Sequence, residues 1–412
     1  MIDLPIAERD IEIDGERFAL VVTTHHDGAV ATTAVHRNDF ARHIGGARFV
    51  EETGGLSEVG HLSSTMTEKC MAAMIPADGQ KTVIAVGPLD DVTEERKAEI
   101  LIEHVRAVKE LDAGVIVGPD MNNPESVQDR AARADGLLDH FTGLSETSRG
   151  LSIDKYGYTA HGLVAAIRAC IDDASLRKQR VSVQGFGAVG AHTARLLAEL
   201  GAKVVAVNNK DVLLTNPNGL DIPALFANRD AHGDEGLKHF VSNNSGFQIS
   251  HATDDIFRVL TDIFVPAGRT DILTMADDLV HVRQTENKDV RDVAEFYAAT
   301  GVRLIVEGAN HPISPEAEHW LESKGVRILP DFIVNCGGLI GCWVEWEARH
   351  RDGLKPVVDL ERVGHEALDR IRRTVAENVE ELLSANVSAR DAAKQIVLRN
   401  REKLLAQSRD QA

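Results

Sequence analysis

The chain has 412 residues, and its 64 acidic against 45 basic side chains leave a formal net charge of −19. At roughly 150 residues per domain the length fits two or three domains, and a 43% hydrophobic content is that of a globular chain. The acidic balance argues against partners that need clustered Lys and Arg, so neither a nucleic acid nor an anionic membrane surface is expected.

No apolar run approaches the roughly 18 residues of a spanning helix. The segment Met1 to Asp10 carries early acids and no signal-peptide core. Four scattered cysteines (Cys70, Cys170, Cys336 and Cys342) fit a reducing compartment better than a disulfide framework. No Cys or His pair has zinc-site spacing, so no metal is expected. A cytoplasmic location follows as the expectation.

In chain order, Arg17 to Thr24 and Ala29 to His36 read as strands around a His25-His26-Asp27-Gly28 turn. Val92 to Leu111 reads as an amphipathic helix with Thr93 at its N-cap. Val115 to Val117 is a short buried strand ending at Gly118-Pro119-Asp120. Near residue 150 the texture changes. A helix over Ala160 to Ile171 precedes the strand Val181 to Gln184, a glycine turn, a helix over Ala188 to Leu200, and the strand Lys203 to Val207. Further apolar runs lie at Asp262 to Pro266, Val302 to Val306 and Val326 to Leu329. Strands alternating with helices imply a parallel sheet covered on both faces. After Trp346 a loop is expected, then a helix over Gly364 to Ser384.

Gly185-Phe186-Gly187-Ala188-Val189-Gly190 is a GxGxxG between a strand and a helix, the context that makes this motif a dinucleotide turn. Gly185 permits the turn, Gly187 admits the pyrophosphate, and Gly190 lets the helix pack on the sheet. The carboxylate expected about 20 residues on, to hold the adenosine ribose, is missing. The chain reads Asn208-Asn209-Lys210-Asp211 there, and Asn209 is the ribose candidate. Asparagine does not repel a 2′-phosphate and Lys210 attracts one, so NAD is expected with NADP open.

Arg outnumbers Lys, and only fourteen lysines are present. Lys69, in Met66-Thr67-Glu68-Lys69, precedes Lys81 by twelve residues. Taken alone, these lysines and Asp120 read equally as surface charge and a turn former after proline.

Together, His36 to Phe49, Met66 to Ile84, Gly118-Pro119-Asp120, Gly185 to Gly190 and Val306 to Ile340 resemble the glutamate/leucine/phenylalanine/valine dehydrogenase family. Ala34-Val35-His36 with Gly45-Gly46-Ala47-Arg48, and Leu329 to Ile340, are similar to the leucine and phenylalanine branch. Glu307-Gly308-Ala309-Asn310-His311-Pro312 and Glu345-Trp346 are more similar to the glutamate branch. The resemblance implies a two-domain α/β fold. An α/β substrate and oligomerisation domain over 1–150 would precede a Rossmann-type, doubly wound NAD(P)-binding domain over 151–345. A helical segment over 346–412 would return to the first domain.

It implies reversible oxidative deamination of an L-amino acid to a 2-oxo acid and ammonia by a homo-oligomer. Lys81 would be the catalytic base and Asp120 its proton-transfer partner. Lys69 would hold the substrate carboxylate, beside Gly45, Gly46 and Leu339. Thr159 and Asn335 would lie near the nicotinamide amide and Asn310 near its ribose.

Three departures stand out. Asp78-Gly79-Gln80 replaces the three glycines usual before the catalytic lysine, which would stiffen the loop, and Asp78 would raise the pKa of Lys81. Met121-Asn122-Asn123 replaces a glycine-rich stretch, and Glu68 replaces an aromatic residue. With this altered loop the alternative is a homologue that binds nucleotide and amino acid without turnover, or one repurposed for a biosynthetic substrate. Ile44 and Cys342 stand where glutamate enzymes carry a lysine and a serine. An apolar or aromatic substrate is therefore expected, since a distal carboxylate without a cation is costly to desolvate.

Overall fold

A computed structural model of the chain describes residues 6–276, 279–282, 291–292, 301–351, 353 and 359–410. The first five residues of the acidic amino-terminal stretch lie outside the described residues. The chain divides into two compact units, the first comprising Met1–Ile153, Gly338–Arg370 and Val397–Ala412, the second Asp154–Gly337 and Ile371–Ile396. The tail over 346–412 is thus shared between both units.

In the first unit, the strands β1 (Ile6–Ile13), β2 (Glu16–Thr24), β3 (Val30–His36) and β4 (His43–Val50) precede helix α1 (Leu56–Ala72). Strand β5 (Asp78–Ala85), helix α2 (Glu94–Leu111), strand β6 (Val115–Pro119) and helix α3 (Glu125–Ala132) follow. The strands form one six-stranded sheet in the order β1-β2-β3-β5-β4-β6. Strands β1, β2, β3 and β5 pair antiparallel, whereas β4 pairs parallel with both β5 and β6.

Helix α2 forms where its signals stand. Thr93 Oγ1 accepts from Arg96 N at 3.2 Å, Glu94 and Glu95 occupy the first turn, and Ile100, Leu101, Val105 and Val108 are buried. That face packs into a core with Val21, Phe49, Ile84 and Val115. Each such buried aliphatic side chain contributes about 1.5–3 kcal/mol.

In the second unit, helix α4 (Tyr158–Cys170), strand β7 (Arg180–Gln184), helix α5 (Ala188–Glu199) and strand β8 (Lys203–Asn208) match the expected alternation. Then come β9 (Leu213–Thr215), α6 (Ile222–His232), α7 (Gly236–Asn243), β10 (Gln248–Ser250) and β11 (Ile263–Pro266). Strands β12 (Leu273–Ala276), β13 (Leu279–Val282) and β14 (Arg291–Asp292) form a small antiparallel sheet. Strand β15 (Leu304–Val306), helix α8 (Pro315–Ser323) and strand β16 (Arg327–Leu329) complete the main sheet region.

The seven-stranded sheet has the order β10-β9-β8-β7-β11-β15-β16. Strands β8, β7, β11, β15 and β16 are parallel, as expected, but the added β9 runs antiparallel to both its neighbours, β8 and β10. The link from Asn208 to Leu213 is too short for a crossover, so β9 can only turn back.

The tail consists of α9 (Gly337–Arg351), α10 (Leu360–Ser384) and α11 (Ala389–Asp410). The loop expected after Trp346 is instead helix to Arg351, and residues 354–358 lie outside the described residues. Among the described residues no helix is long and apolar enough to cross a membrane.

Candidate active site

In the first unit the central position of β4 assembles a charged centre. Its register sets Ala47 opposite Thr82 on one side and Pro119 on the other. Gly45-Gly46 therefore lie between the strand that carries Lys81 and the turn that carries Asp120. A Cβ at Gly46 would stand 2.7 Å from Asp120 Cβ, so only glycine permits this approach.

Lys81 Nζ forms an ion pair with Asp120 Oδ2, and Arg48 Nε donates to the same oxygen at 3.1 Å. Asp120 Oδ1 accepts from Met121 N at 2.8 Å. Helix α1 comes close to β5 at Gly79, where a Cβ would meet Ser63 O at 2.0 Å, and Gly79 N donates to Thr67 Oγ1 at 2.7 Å. That contact sets the buried Lys69 within electrostatic range of Lys81.

Burial pushes Lys81 below the ordinary lysine range. Asp120 opposes this, while the cations Arg48 and Lys69 reinforce it. Burial would raise Asp120, but Lys81 and Arg48 outweigh it and hold the carboxyl well below the usual carboxylate range. The result is a lysine that gives up its proton more readily than one in water, the condition for a base near neutrality.

The altered glycine stretch behaves differently from expectation. Asp78-Gly79-Gln80 is no loop but the paired beginning of β5, with Asp78 and Gly79 against β4 and Gln80 against β3. The strand pleat directs Asp78 and Lys81 to opposite faces. Asp78 Oδ2 accepts from the backbone N–H groups of Asn38, Asp39 and Phe40 at 3.2, 2.7 and 2.8 Å, so it caps a turn rather than raising the pKa of Lys81. Gln80 Nε2 donates to Gly45 O at 2.6 Å and Ile116 O at 3.2 Å, tying the three site strands together.

Behind Gln80 runs a buried polar chain that sequence reasoning missed. It passes from Gln80 through Thr82, Thr33, His104, Thr23 and His25 to Glu103, with links of 3.2, 2.7, 2.7, 2.7, 3.2 and 2.8 Å. Burial and the nearby His25 push His104 down to about 3, so it is neutral between its two threonines. Only Gln80 in an otherwise glycine-type position offered a signal. After Asp120, Asn122 adopts a left-handed φ of 58° and donates to Phe49 O at 2.9 Å, while Asn123 donates to Ala47 O at 2.9 Å. Asparagine is among the few residues that tolerate this conformation, which accounts for its place where glycine was expected.

Ile44 is buried on β4. Leu339 is half-buried in the first turn of α9, and Glu68 is half-buried on α1. Cys342 accepts at its carbonyl from Thr142 Oγ1 at 2.5 Å, and a Cβ at Gly143 would lie 3.1 Å from its Sγ.

The second unit holds the glycine turn Gly185 to Gly190. Gly185 has φ +88°, and a Cβ there would meet Gly268 Cα at 2.4 Å. A Cβ at Gly190 would meet Gly185 O at 1.8 Å, whereas one at Gly187 would meet nothing within 4 Å. Phe186 is buried, and Ala188 and Val189 open helix α5. A cavity of about 360 Å³ lies against this turn, lined among others by Asn209, Lys210, Arg229 and Arg269. An open face at the middle glycine beside a helix N-terminus fits a dinucleotide pyrophosphate.

The two asparagines after the second strand have distinct roles. Asn208 Oδ1 accepts from Gly185 N at 2.9 Å and its Nδ2 donates to Thr253 O at 2.9 Å, bracing the glycine turn. Asn209 lines the cavity, but its Oδ1 accepts from Asp211 N and Val212 N, both at 2.9 Å. At the far end of the sheet edge, Asn335 Nδ2 donates to Asn310 Oδ1 at 3.0 Å and to Gly308 O at 3.3 Å. A Cβ at Gly337 would meet Tyr158 O at 2.2 Å and Thr159 Cα at 3.2 Å, so the segment after Asn335 packs on the start of α4. Asn310 and Asn335 are thus paired, and Thr159 lies against Gly337, two residues after Asn335.

Comparison with known proteins places the chain in a family. The family model for glutamate/leucine/phenylalanine/valine dehydrogenase matches residues 150–403. The NAD-specific glutamate dehydrogenase of Staphylococcus aureus (strain COL) is 28% identical over 338 residues, 78% of this chain and 73% of that protein. Among solved structures, glutamate dehydrogenase from Plasmodium falciparum has a TM-score of 0.77 at 16% identity, covering 98% of this chain and 84% of that one. L-tryptophan dehydrogenase from Nostoc punctiforme has a TM-score of 0.58 at 20% identity, covering 95% and 96%. The structural likenesses carry the fold, and the family model, which spans more than half of the chain, carries the membership. The chain belongs to the glutamate/leucine/phenylalanine/valine dehydrogenase family and is an NAD(P)-dependent amino-acid dehydrogenase.

Proposed function

We propose that this dehydrogenase takes an L-amino acid with an apolar or aromatic side chain and converts it, with NAD and water, reversibly to the 2-oxo acid and ammonia. The observation that carries this reading is the buried Lys81 paired with the half-buried Asp120 beside Gly45-Gly46. Lys69 supplies the fixed cation for the α-carboxylate. Lys81, once deprotonated, takes protons from the reacting amine and from the water that adds to the imine. Asp120 exchanges protons with Lys81 as ammonia leaves. Bound nicotinamide supplies the hydride acceptor. Gly185 to Gly190 would hold its pyrophosphate, and Thr159, Asn310 and Asn335 its nicotinamide end.

The substrate class rests on charge. Ile44 offers no cation where a distal carboxylate would sit, and Arg48 is engaged by Asp120. An unpaired carboxylate there would be costly to desolvate. Glutamate is the second reading, favoured by the name of the Staphylococcus aureus relative. A panel of L-amino acids with NAD and with NADP, followed by absorbance at alkaline pH, decides between them. Turnover is expected with leucine, valine, phenylalanine or tryptophan and NAD. Predominant turnover of glutamate would overturn the substrate class, and nucleotide binding without any turnover would overturn the roles of Lys81 and Asp120. We further propose a cytoplasmic homo-oligomer assembled through the first unit. Light scattering on the purified chain checks this, with a monomer as the contrary result.

A further inference from the structure

Within the second unit, the first turn of α11 sends Arg390 into a buried cluster of three carboxylates. Its guanidinium meets Glu318 at 2.7 Å through Nε, Glu307 Oε2 at 2.9 Å through Nη2, and Asp331 Oδ1 at 3.3 Å through Nη1. Glu307 and Asp331 are fully buried and Glu318 nearly so. Such a cluster is costly to desolvate and is weak evidence for stability in itself, which raises the question of what it holds.

It holds backbone. Asp331 N donates to Glu307 Oε2 at 2.9 Å, and His311 N donates to Asp331 Oδ2 at 3.0 Å. His311 directly follows Asn310. Asn335 N donates to Asp331 O at 2.8 Å. The cluster therefore grips both segments that carry the Asn310–Asn335 side-chain pair. Asn335 is 6% exposed, and its Oδ1 is buried with no hydrogen-bond partner. A buried acceptor left open is costly unless a ligand donates to it, and a carboxamide NH2 is a donor of the right kind.

We propose that Arg390 is a positioning residue for the nicotinamide end of the dinucleotide site, acting through Glu307, Glu318 and Asp331 on Asn310 and Asn335. This rests on reading the second unit as the cofactor site. Arg390 touches no reacting atom. It serves a binding geometry built around the nicotinamide riboside rather than around the pyrophosphate at the glycine turn.

The test exploits that separation. The full chain is titrated calorimetrically with NAD and, separately, with ADP, which lacks both the nicotinamide and its ribose. In R390M the affinity for NAD should fall about tenfold, the equivalent of about 1.4 kcal/mol, while that for ADP stays within about twofold. R390K should recover part of the loss, because a cation returns without the planar fork. Equal weakening of both ligands, or no weakening of NAD, would overturn the proposal. If R390M does not fold, E318Q decides on the same criterion. Failure of the unaltered chain to bind either ligand would instead overturn the cofactor reading.

Discussion

The two units solve opposite electrostatic problems. The first unit gathers charge at its centre, where Lys81 and Arg48 meet the carboxylate of Asp120 and Lys69 acts on Lys81. The second presents bare backbone at Gly187, with Lys210, Arg229 and Arg269 lining the cavity there, and the amides of Asn310 and Asn335, and it buries one charge cluster, Arg390 with three carboxylates, as a support. A proton-transferring centre needs groups whose ionisation is poised by neighbours. A site for an anionic dinucleotide needs close approach and donors. The difference teaches that burying charge shifts pKa values in one place and fixes backbone in the other.

The largest test of this contrast is Lys81→Met. It should cut the deamination rate by about 10³-fold or more, the upper range for a general base, with dinucleotide affinity unchanged in a fluorescence titration. Retention of full rate would break the assignment of the charged centre.

Asp120→Asn should lower the rate by about 10²-fold and also move the pH profile. The base form of Lys81 accumulates as pH rises, so the deamination rate should climb through its depressed pKa. Asp120 raises that pKa, so its neutralisation should shift the climb to lower pH. Initial rates across the alkaline range check the sign, and a shift to higher pH would sink the electrostatic account.

The smallest effects sharpen the second unit. Gly190→Ala should destabilise the fold by about 1–3 kcal/mol through overpacking, because its Cβ would strike Gly185 O. Gly187→Ala has room, so its melting temperature should match that of the unaltered chain while NAD affinity falls about tenfold. Thermal melts beside calorimetric titrations separate the two. Equal loss of stability in both would show that the open face at Gly187 is not a ligand face.

Much of this is legible in the sequence. Strands β7 and β8, helix α5 and the glycine turn stand within a residue or two of their sequence positions, because a buried strand, a turn and an amphipathic helix are each local patterns. Thr93 capped α2 as its spacing implied. Lys81 and Asp120 were legible only through the family resemblance, since two charged residues thirty-nine apart carry no local pattern. The role of Asp78 was misread, because reach along a sequence is not reach across a pleated strand.

By itself the sequence determined the alternation of elements, the dinucleotide turn and the scarcity of lysines that made Lys69 and Lys81 worth questioning. Tertiary structure decided what those residues meet. The order β5-β4-β6 is a non-local choice, made by parallel pairing around β4, and it alone brings Lys81, Gly46 and Asp120 together. The hydrogen-bonded path from Gln80 to Glu103 and the grip of Arg390 on Glu307 are likewise products of long-range packing. Local propensity acts over a few residues, whereas desolvation and ion pairing depend on which distant strands and helices finally come into contact.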